Sequence, residues 1–315
     1  MTKIAILDDY QKVALDMADW SALSGADITV FDRHIEDEDA LAAALQPFDV
    51  VAIMRERTAF PRSLFARLPA LKLLVTTGMK NAAVDMDAAR DHGVVVSGTA
   101  SSGHATAELS FLMILALARG LPDQIRTMAA GGWQGGLGRD LRGARLGLLG
   151  LGRLGREMAT IGTAFGMDVV AWSQNLTPEA AVAGGARYAE KAELFETADF
   201  VSVHLRLSER TRGIVGRDDI ARMKPDACLI NTSRGGLVDN DALVGALNEG
   251  RIAGAALDVY EREPLPADDP LRSVPGLLLT PHIGYVTRES YDVFYPETVE
   301  AIRAWLDGAP IRVLA

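Results

Sequence analysis

The chain has 315 residues, 49% of them hydrophobic and 23% charged, with a formal net charge of −10. That length suggests two globular domains. An acidic chain with no long Lys/Arg cluster lacks the charge that holds a phosphate backbone, so nucleic acid is excluded as an expected partner.

The predicted elements begin at once. Met1 to Asp9 runs straight into a strand-like segment with no basic stretch, which argues against a signal peptide. Ile4–Leu7, Ile28–Phe31, Val50–Met54, Leu73–Val75 and Val94–Val96 read as five strands. Helical patterns around Val13–Met17, Ala40–Leu45 and Leu64–Leu68 separate the first four. Alternation of this kind predicts a parallel sheet with helices on both faces. The small, flexible segment Gly98-Thr99-Ala100-Ser101-Ser102-Gly103 reads as the crossing to a second domain. A long helical stretch follows, Ala105–Arg119. Its Leu109–Leu117 part is apolar nearly all round, so protein must cover it, either within its own domain or from a second subunit. The longest apolar run, Phe111 to Ala118, is too short to span a bilayer, and no membrane partner is expected.

A second series of strands is predicted at Leu146–Leu149, Val169–Trp172, Phe200–Val203, Cys228–Asn231, Ala253–Leu257 and Leu277–Leu279. Cys228 is the only cysteine, which rules out an intrachain disulfide; within Ala227-Cys228-Leu229-Ile230 it reads as a buried strand residue. After Pro281-His282 the chain closes with a helix from about Glu289 to Leu306 and no further strand. That helix is expected to return to the first domain, which leaves the second as an insertion. The expected architecture is α/β, with two doubly wound parallel sheets, and a cytoplasmic location is the default.

The sharpest local feature is Gly150-Leu151-Gly152-Arg153-Leu154-Gly155, which follows a predicted strand and opens a helix, Arg156–Phe165. Gly150 permits the tight turn, Gly152 lets backbone approach a pyrophosphate, and Gly155 lets the helix pack against the sheet. Arg153 can add a charge-assisted contact to the same phosphates. Glycines also gather in ordinary turns, but the strand–loop–helix–strand context favours a dinucleotide. The carboxylate that usually ends the second strand of such a unit is missing: Trp172 runs into Ser173-Gln174-Asn175. Nothing there repels a 2′-phosphate, so NAD and NADP are both expected cofactors.

Three further segments add to this loop: Ile230-Asn231-Thr232-Ser233-Arg234-Gly235-Gly236, Ala256-Leu257-Asp258-Val259-Tyr260-Glu261-Arg262-Glu263-Pro264, and Thr280-Pro281-His282-Ile283-Gly284. In order and spacing the chain resembles the D-isomer-specific 2-hydroxyacid dehydrogenases, which include 3-phosphoglycerate, D-lactate, glyoxylate/hydroxypyruvate and formate dehydrogenases. The likeness is close over Gly147–Gly155, Val201–Gly213 and Arg234–Gly284, and looser over Lys3–Gly98. The resemblance implies a Rossmann dinucleotide-binding domain, residues 101–285, inserted into a flavodoxin-like substrate-binding domain, residues 1–100 and 286–315. The active site is then expected in the cleft between them. It further implies hydride transfer between nicotinamide and the 2-carbon of a small 2-oxo or D-2-hydroxy acid, of the 3-phosphoglycerate, hydroxypyruvate or glyoxylate type, by a homodimer.

The resemblance assigns roles that the chemistry supports. His282 matches the general acid/base, Glu263 the carboxylate that orients it, and Arg234 the guanidinium that holds the substrate carboxylate and polarises the carbonyl. Asp258 matches a contact to the nicotinamide carboxamide, and Thr232 and His204 lie in segments that line the cofactor. Taken singly, each of the catalytic three would read as a loop or surface residue; together they read as a site. His34, His92 and His104 have no such context. No Cys/His/carboxylate set has metal-ligand spacing, so no metal is expected.

Several positions depart from the family pattern. The substrate loop, usually glycine–apolar–glycine, is Gly78-Met79-Lys80, and Lys80 either meets a second acidic group on the substrate or faces solvent. Arg55 aligns with an arginine near the substrate, while Arg57 reads as surface. Tyr285 stands where a small residue is usual; with Tyr291, Phe294 and Tyr295 it either narrows the pocket or belongs to a helix packing face. Arg206 replaces a proline near the adenosine end of the cofactor. A dinucleotide-sensing interaction module of the corepressor type is the alternative to an enzyme. At this length the chain lacks the regulatory C-terminal domain of longer phosphoglycerate dehydrogenases, so serine feedback is not expected.

Overall fold

A computed structural model describes residues 1–101 and 103–315. Ser102, part of the expected crossing, lies outside the described residues. The chain divides into two compact units, Met1–Ser102 with Val286–Ala315, and Gly103–Tyr285.

The first unit is built on β1 (Thr2–Ile6), β2 (Ala26–Val30), β3 (Val50–Ile53), β4 (Leu73–Thr76) and β5 (Val95–Gly98). All pairs are parallel, in the order β2-β1-β3-β4-β5. That is the flavodoxin-like order, in which the strand sequence reverses between β1 and β3. Every residue of β3 and β4 is buried, as apolar strands covered on both faces must be. Leu41 and Leu45 of the Glu38–Leu45 helix, with Phe60, Leu64 and Phe65, form one core layer. The Arg288–Leu306 helix packs on β4 and β5, and the C-terminal tail closes the β5 edge through Leu314 N to Val96 O and Val96 N to Ala315 O. Tyr291, Phe294 and Tyr295 are buried on that helix, and the Tyr291 ring meets the other two at tilted and edge-to-face angles, so they form a packing face within this unit.

The helical pattern at Val13–Met17 does not form a helix. The Asp9 carboxylate takes the Val13 and Ala14 amides, and Lys12 is held at φ +58°, a left-handed conformation that breaks a helix. The segment turns instead, pinned by Trp20 Nε1 on the Ala14 carbonyl.

The second unit holds β6 (Arg145–Leu149), β7 (Asp168–Trp172), β8 (Arg187–Tyr188), β9 (Phe200–Val203), β10 (Cys228–Asn231), β11 (Gly254–Leu257) and β12 (Leu277–Leu279). Their order is β12-β11-β10-β9-β6-β7-β8, again all parallel. This is the Rossmann order with one added strand, and the reversal lies between β6 and β9. Two-residue β8 is too short to show a period and was not among the predicted strands. The Ala105–Ala118 helix packs on β10 and β11 and is covered within its own unit, with only Leu112 broadly exposed among its large apolar side chains. No single helix among the described residues is long and apolar enough to cross a membrane.

Candidate active site

Three loops at the carboxyl ends of β10, β11 and β12 carry the candidate catalytic groups. Asp258 follows β11 directly, is fully buried, and binds the next loop with both oxygens. Its Oδ1 accepts from Thr280 Oγ1 and Ile283 N (2.8 Å), and its Oδ2 accepts from Gly284 N (2.8 Å). Burial raises its pKa, and the three donors oppose that shift. Thr106 Oγ1 adds a bond to the Gly284 carbonyl at 2.8 Å. The clamp holds His282 at φ +51°, a left-handed conformation that a non-glycine residue keeps only where its surroundings fix it.

Held there, His282 Nδ1 lies 2.5 Å from Glu263 Oε2. The other carboxylate oxygen accepts from Tyr260 N at 2.8 Å, and the Tyr260 hydroxyl reaches the Thr280 carbonyl at 2.9 Å. Both ends of the pair are therefore tied to one framework. Sequence reasoning named the pair but missed Thr280, Tyr260 and Thr106, whose roles depend on loop geometry that spacing does not show. Arg234 caps the short 3-10 turn Gly235–Leu237 and donates to the Ser233 carbonyl at 2.6 Å. A Cβ on Gly235 would lie 2.2 Å from the Tyr260 carbonyl carbon, so only glycine lets the arginine loop pass against the loop that carries Glu263.

The glycine loop follows β6 at the reversal point. Gly150 has φ +103°, and a Cβ there would strike the His204 carbonyl at 2.5 Å; a Cβ on Gly155 would lie 2.1 Å from Gly150 O. A Cβ on Gly152 would meet nothing within 4 Å. Leu154 lies in the first turn of the helix, Arg153–Ala164, whose N-terminus has no side-chain cap and no acidic residue in its first turn. Arg153 donates to the Gly103 carbonyl and lies 3.6 Å from Glu157. Ser173 follows β7 and is half-buried, while Arg206 is exposed. Thr232 is buried with its hydroxyl 2.7 Å from Ser110 Oγ. His204 Nε2 lies 2.9 Å from Ser202 Oγ, and its Nδ1 is buried without a protein partner. Burial pushes the His204 pKa down to about 4, so the ring is neutral near pH 7.

The remaining site residues lie in the first unit. Arg55, past β3, sits at φ +54°, with its N–H on Thr77 Oγ1 (2.9 Å) and its carbonyl accepting from Asn81 Nδ2 (2.7 Å). A left-handed arginine costs about 1 kcal/mol, which these bonds offset. Its guanidinium occupies the place a Gly78 Cβ would take, at 2.1 Å, and Gly78 itself sits at φ +89°, a conformation that favours glycine. Met79 and Lys80 are exposed. Arg57 is not a simple surface charge: it donates to the Asp8 carbonyl at 2.9 Å and lies 4.7 Å over the Tyr10 ring.

Residues 111–284 match the model of the D-isomer specific 2-hydroxyacid dehydrogenase NAD-binding domain. The chain is 37% identical over 277 residues to the (S)-sulfolactate dehydrogenase of Chromohalobacter salexigens, covering 87% of this chain and 90% of that one. It belongs to the D-isomer-specific 2-hydroxyacid dehydrogenase family. The chain is also 33% identical to the D-3-phosphoglycerate dehydrogenase of Methanocaldococcus jannaschii, over 98% of its own length and 58% of the relative's. The chain thus spans little more than half the length of that relative. Among solved structures it resembles a phosphoglycerate oxidoreductase from Vibrio cholerae, with a TM-score of 0.93, 41% identity, and coverage of 98% of this chain and 100% of that one.

The residues present fit the dinucleotide that this family's domain binds. Gly150 and Gly155 are glycines because the protein leaves no room for a side chain, but Gly152 is not; its open side is the space a pyrophosphate would take. The uncapped helix N-terminus suits an anion, and His204 Nδ1 is a buried polar atom waiting for a partner. Two of the residues expected at the cofactor also have partners within the protein. The Arg153 guanidinium is engaged with Gly103 and Glu157, and both Asp258 oxygens are occupied by loop donors, so in this structure each braces the protein.

Proposed function

We propose that the chain reduces a small 2-oxo acid to the D-2-hydroxy acid, or the reverse, with NAD or NADP. The nicotinamide supplies or accepts the hydride. The protein must then move a proton at the substrate oxygen and hold the substrate carboxylate. The observation that carries the reading is the Glu263–His282 pair in the unit that also holds the glycine loop. With Nδ1 committed to Glu263, Nε2 is the nitrogen that exchanges a proton with the substrate oxygen. Arg234 holds the carboxylate and polarises the carbonyl. Arg55, Gly78 and Met79 receive the rest of the substrate, and the exposed Lys80 ammonium favours acids with a second anionic group. Ser173 and Arg206 leave both cofactors usable. The assembly is a homodimer, formed through the Leu121–Ala129 helix, where Leu121, Ile125 and Met128 share an exposed face.

A panel of 2-oxo acids with NADH and NADPH, followed at the nicotinamide absorbance, tests this reading. Glyoxylate or hydroxypyruvate and a phosphorylated or sulfonated analogue should all be reduced, and Lys80→Gln should slow only the dianionic ones. Ser173→Asp should cut NADPH use and spare NADH. A wild type that binds dinucleotide yet oxidises it with none of these acids contradicts the reading.

A further inference from the structure

Resting on the proposed function, we infer that Tyr285 is a positioning residue for the acid/base His282. Its ring centroid lies 5.5 Å from that of His282 at an interplanar angle of 74°. This is within the edge-to-face range that ring quadrupoles favour, about 4.5–7 Å. The contact is imposed by the backbone. Gly284 donates to Asp258 Oδ2 and accepts from Thr106 Oγ1, so the chain leaves the His282 loop with both peptide groups fixed. A Cβ on Gly284 would lie 3.1 Å from Asp258 Oδ2, which leaves that clamp little slack. Tyr285 is the next residue, and its large planar side chain emerges from a rigid point onto the imidazole.

Glu263 alone does not define the imidazole. One hydrogen bond at Nδ1 leaves the ring free to swing about the bond axis, which moves Nε2. The His282 side chain keeps 17% of its surface and Glu263 26%, so packing around the pair is incomplete. The Tyr285 ring supplies the second restraint. With a small side chain at 285, the Glu263 hydrogen bond would be the one directional restraint on the ring beyond its covalent link. The phenol is not asked to exchange a proton; the restraint is the ring.

The test uses Tyr285→Leu and Tyr285→Phe in the full chain. The chain has five histidines, so selective labelling resolves the His282 ring protons by NMR. Wild type and Tyr285→Phe should share a ring-current displacement of the His282 signals, and Tyr285→Leu should lose it. On the best substrate of the panel, Tyr285→Leu should lower kcat by about tenfold or more, because small misplacements of a reacting group are costly. NADH affinity should not change, the solvent isotope effect on kcat should rise, and Tyr285→Phe should stay within about twofold of wild type. A Tyr285→Leu protein that loses the ring-current displacement but keeps wild-type kcat overturns this role and leaves the functional reading intact. Equal damage in Tyr285→Phe and Tyr285→Leu overturns it too, by placing the effect in the hydroxyl. A wild type inactive on every 2-oxo acid removes the functional reading and this role with it.

Discussion

His204 shows what burial does to a titratable side chain. Its pKa falls to about 4 in the folded chain because its surroundings penalise the charged ring. Unfolded, the same ring titrates near 6.5. Below that value the unfolded chain binds the extra proton and the folded chain does not, so the neutral ring's contribution is present above pH 6.5. It is lost as pH falls toward 4, by up to about 3 kcal/mol. Urea midpoints should therefore drop between pH 7 and pH 4.5, and by less in His204→Gln; parallel curves for the two proteins would contradict this. At this scale the sequence was informative where a motif fixes a residue type. Glu263 and His282 were legible as a pair through the family resemblance, and the structure joins their side chains by a hydrogen bond. Asp258 was legible as important but not in its visible role, since a carboxylate gripping three donors of one loop is a fact of geometry. Glu263→Gln should be milder than loss of His282 and should alter the pH profile of kcat, because it removes the charge that orients the ring.

The glycine loop allows the sharpest test among the elements. Gly155→Ala must displace Gly150 O, 2.1 Å from the new Cβ, and should lower the melting temperature by several degrees. Gly152→Ala meets no protein atom within 4 Å, so it should melt as wild type does while losing at least tenfold in NADH affinity. Calorimetry and fluorescence titration separate the two; a Gly152→Ala chain that binds NADH normally would remove the pyrophosphate from this loop. Long periodic elements were read correctly from sequence because their hydrophobic period is dictated by burial. The failures were local. Asp9 captured two amides of an apparent helix, and β8 is two residues long. The Leu121–Ala129 helix escaped the sequence reading because it mixes polar residues with its apolar ones, unlike its more apolar neighbour. That neighbour, Ala105–Ala118, is covered inside its own unit, whereas Leu121–Ala129 buries none of its residues.

For the whole molecule, an uncovered face at Leu121, Ile125 and Met128, with Trp133 and Leu137 also exposed, is the strongest indication of a second copy. Light scattering at micromolar concentration should give a dimer, and Ile125→Glu with Met128→Glu a monomer; a monomeric wild type would contradict the proposed assembly. That both sheets are parallel followed from alternating strands and helices; their strand orders did not, and the Rossmann and flavodoxin-like types came with the family resemblance. What alternation does not show is which loops carry chemistry, and that rests on one pair of side chains. Steady-state kinetics of His282→Gln beside wild type, on the best 2-oxo acid of the panel and with NADH affinity measured separately, test that pair most directly. The account predicts that kcat falls about a hundred- to ten-thousand-fold while NADH affinity is unchanged. Near-normal turnover in His282→Gln would contradict it.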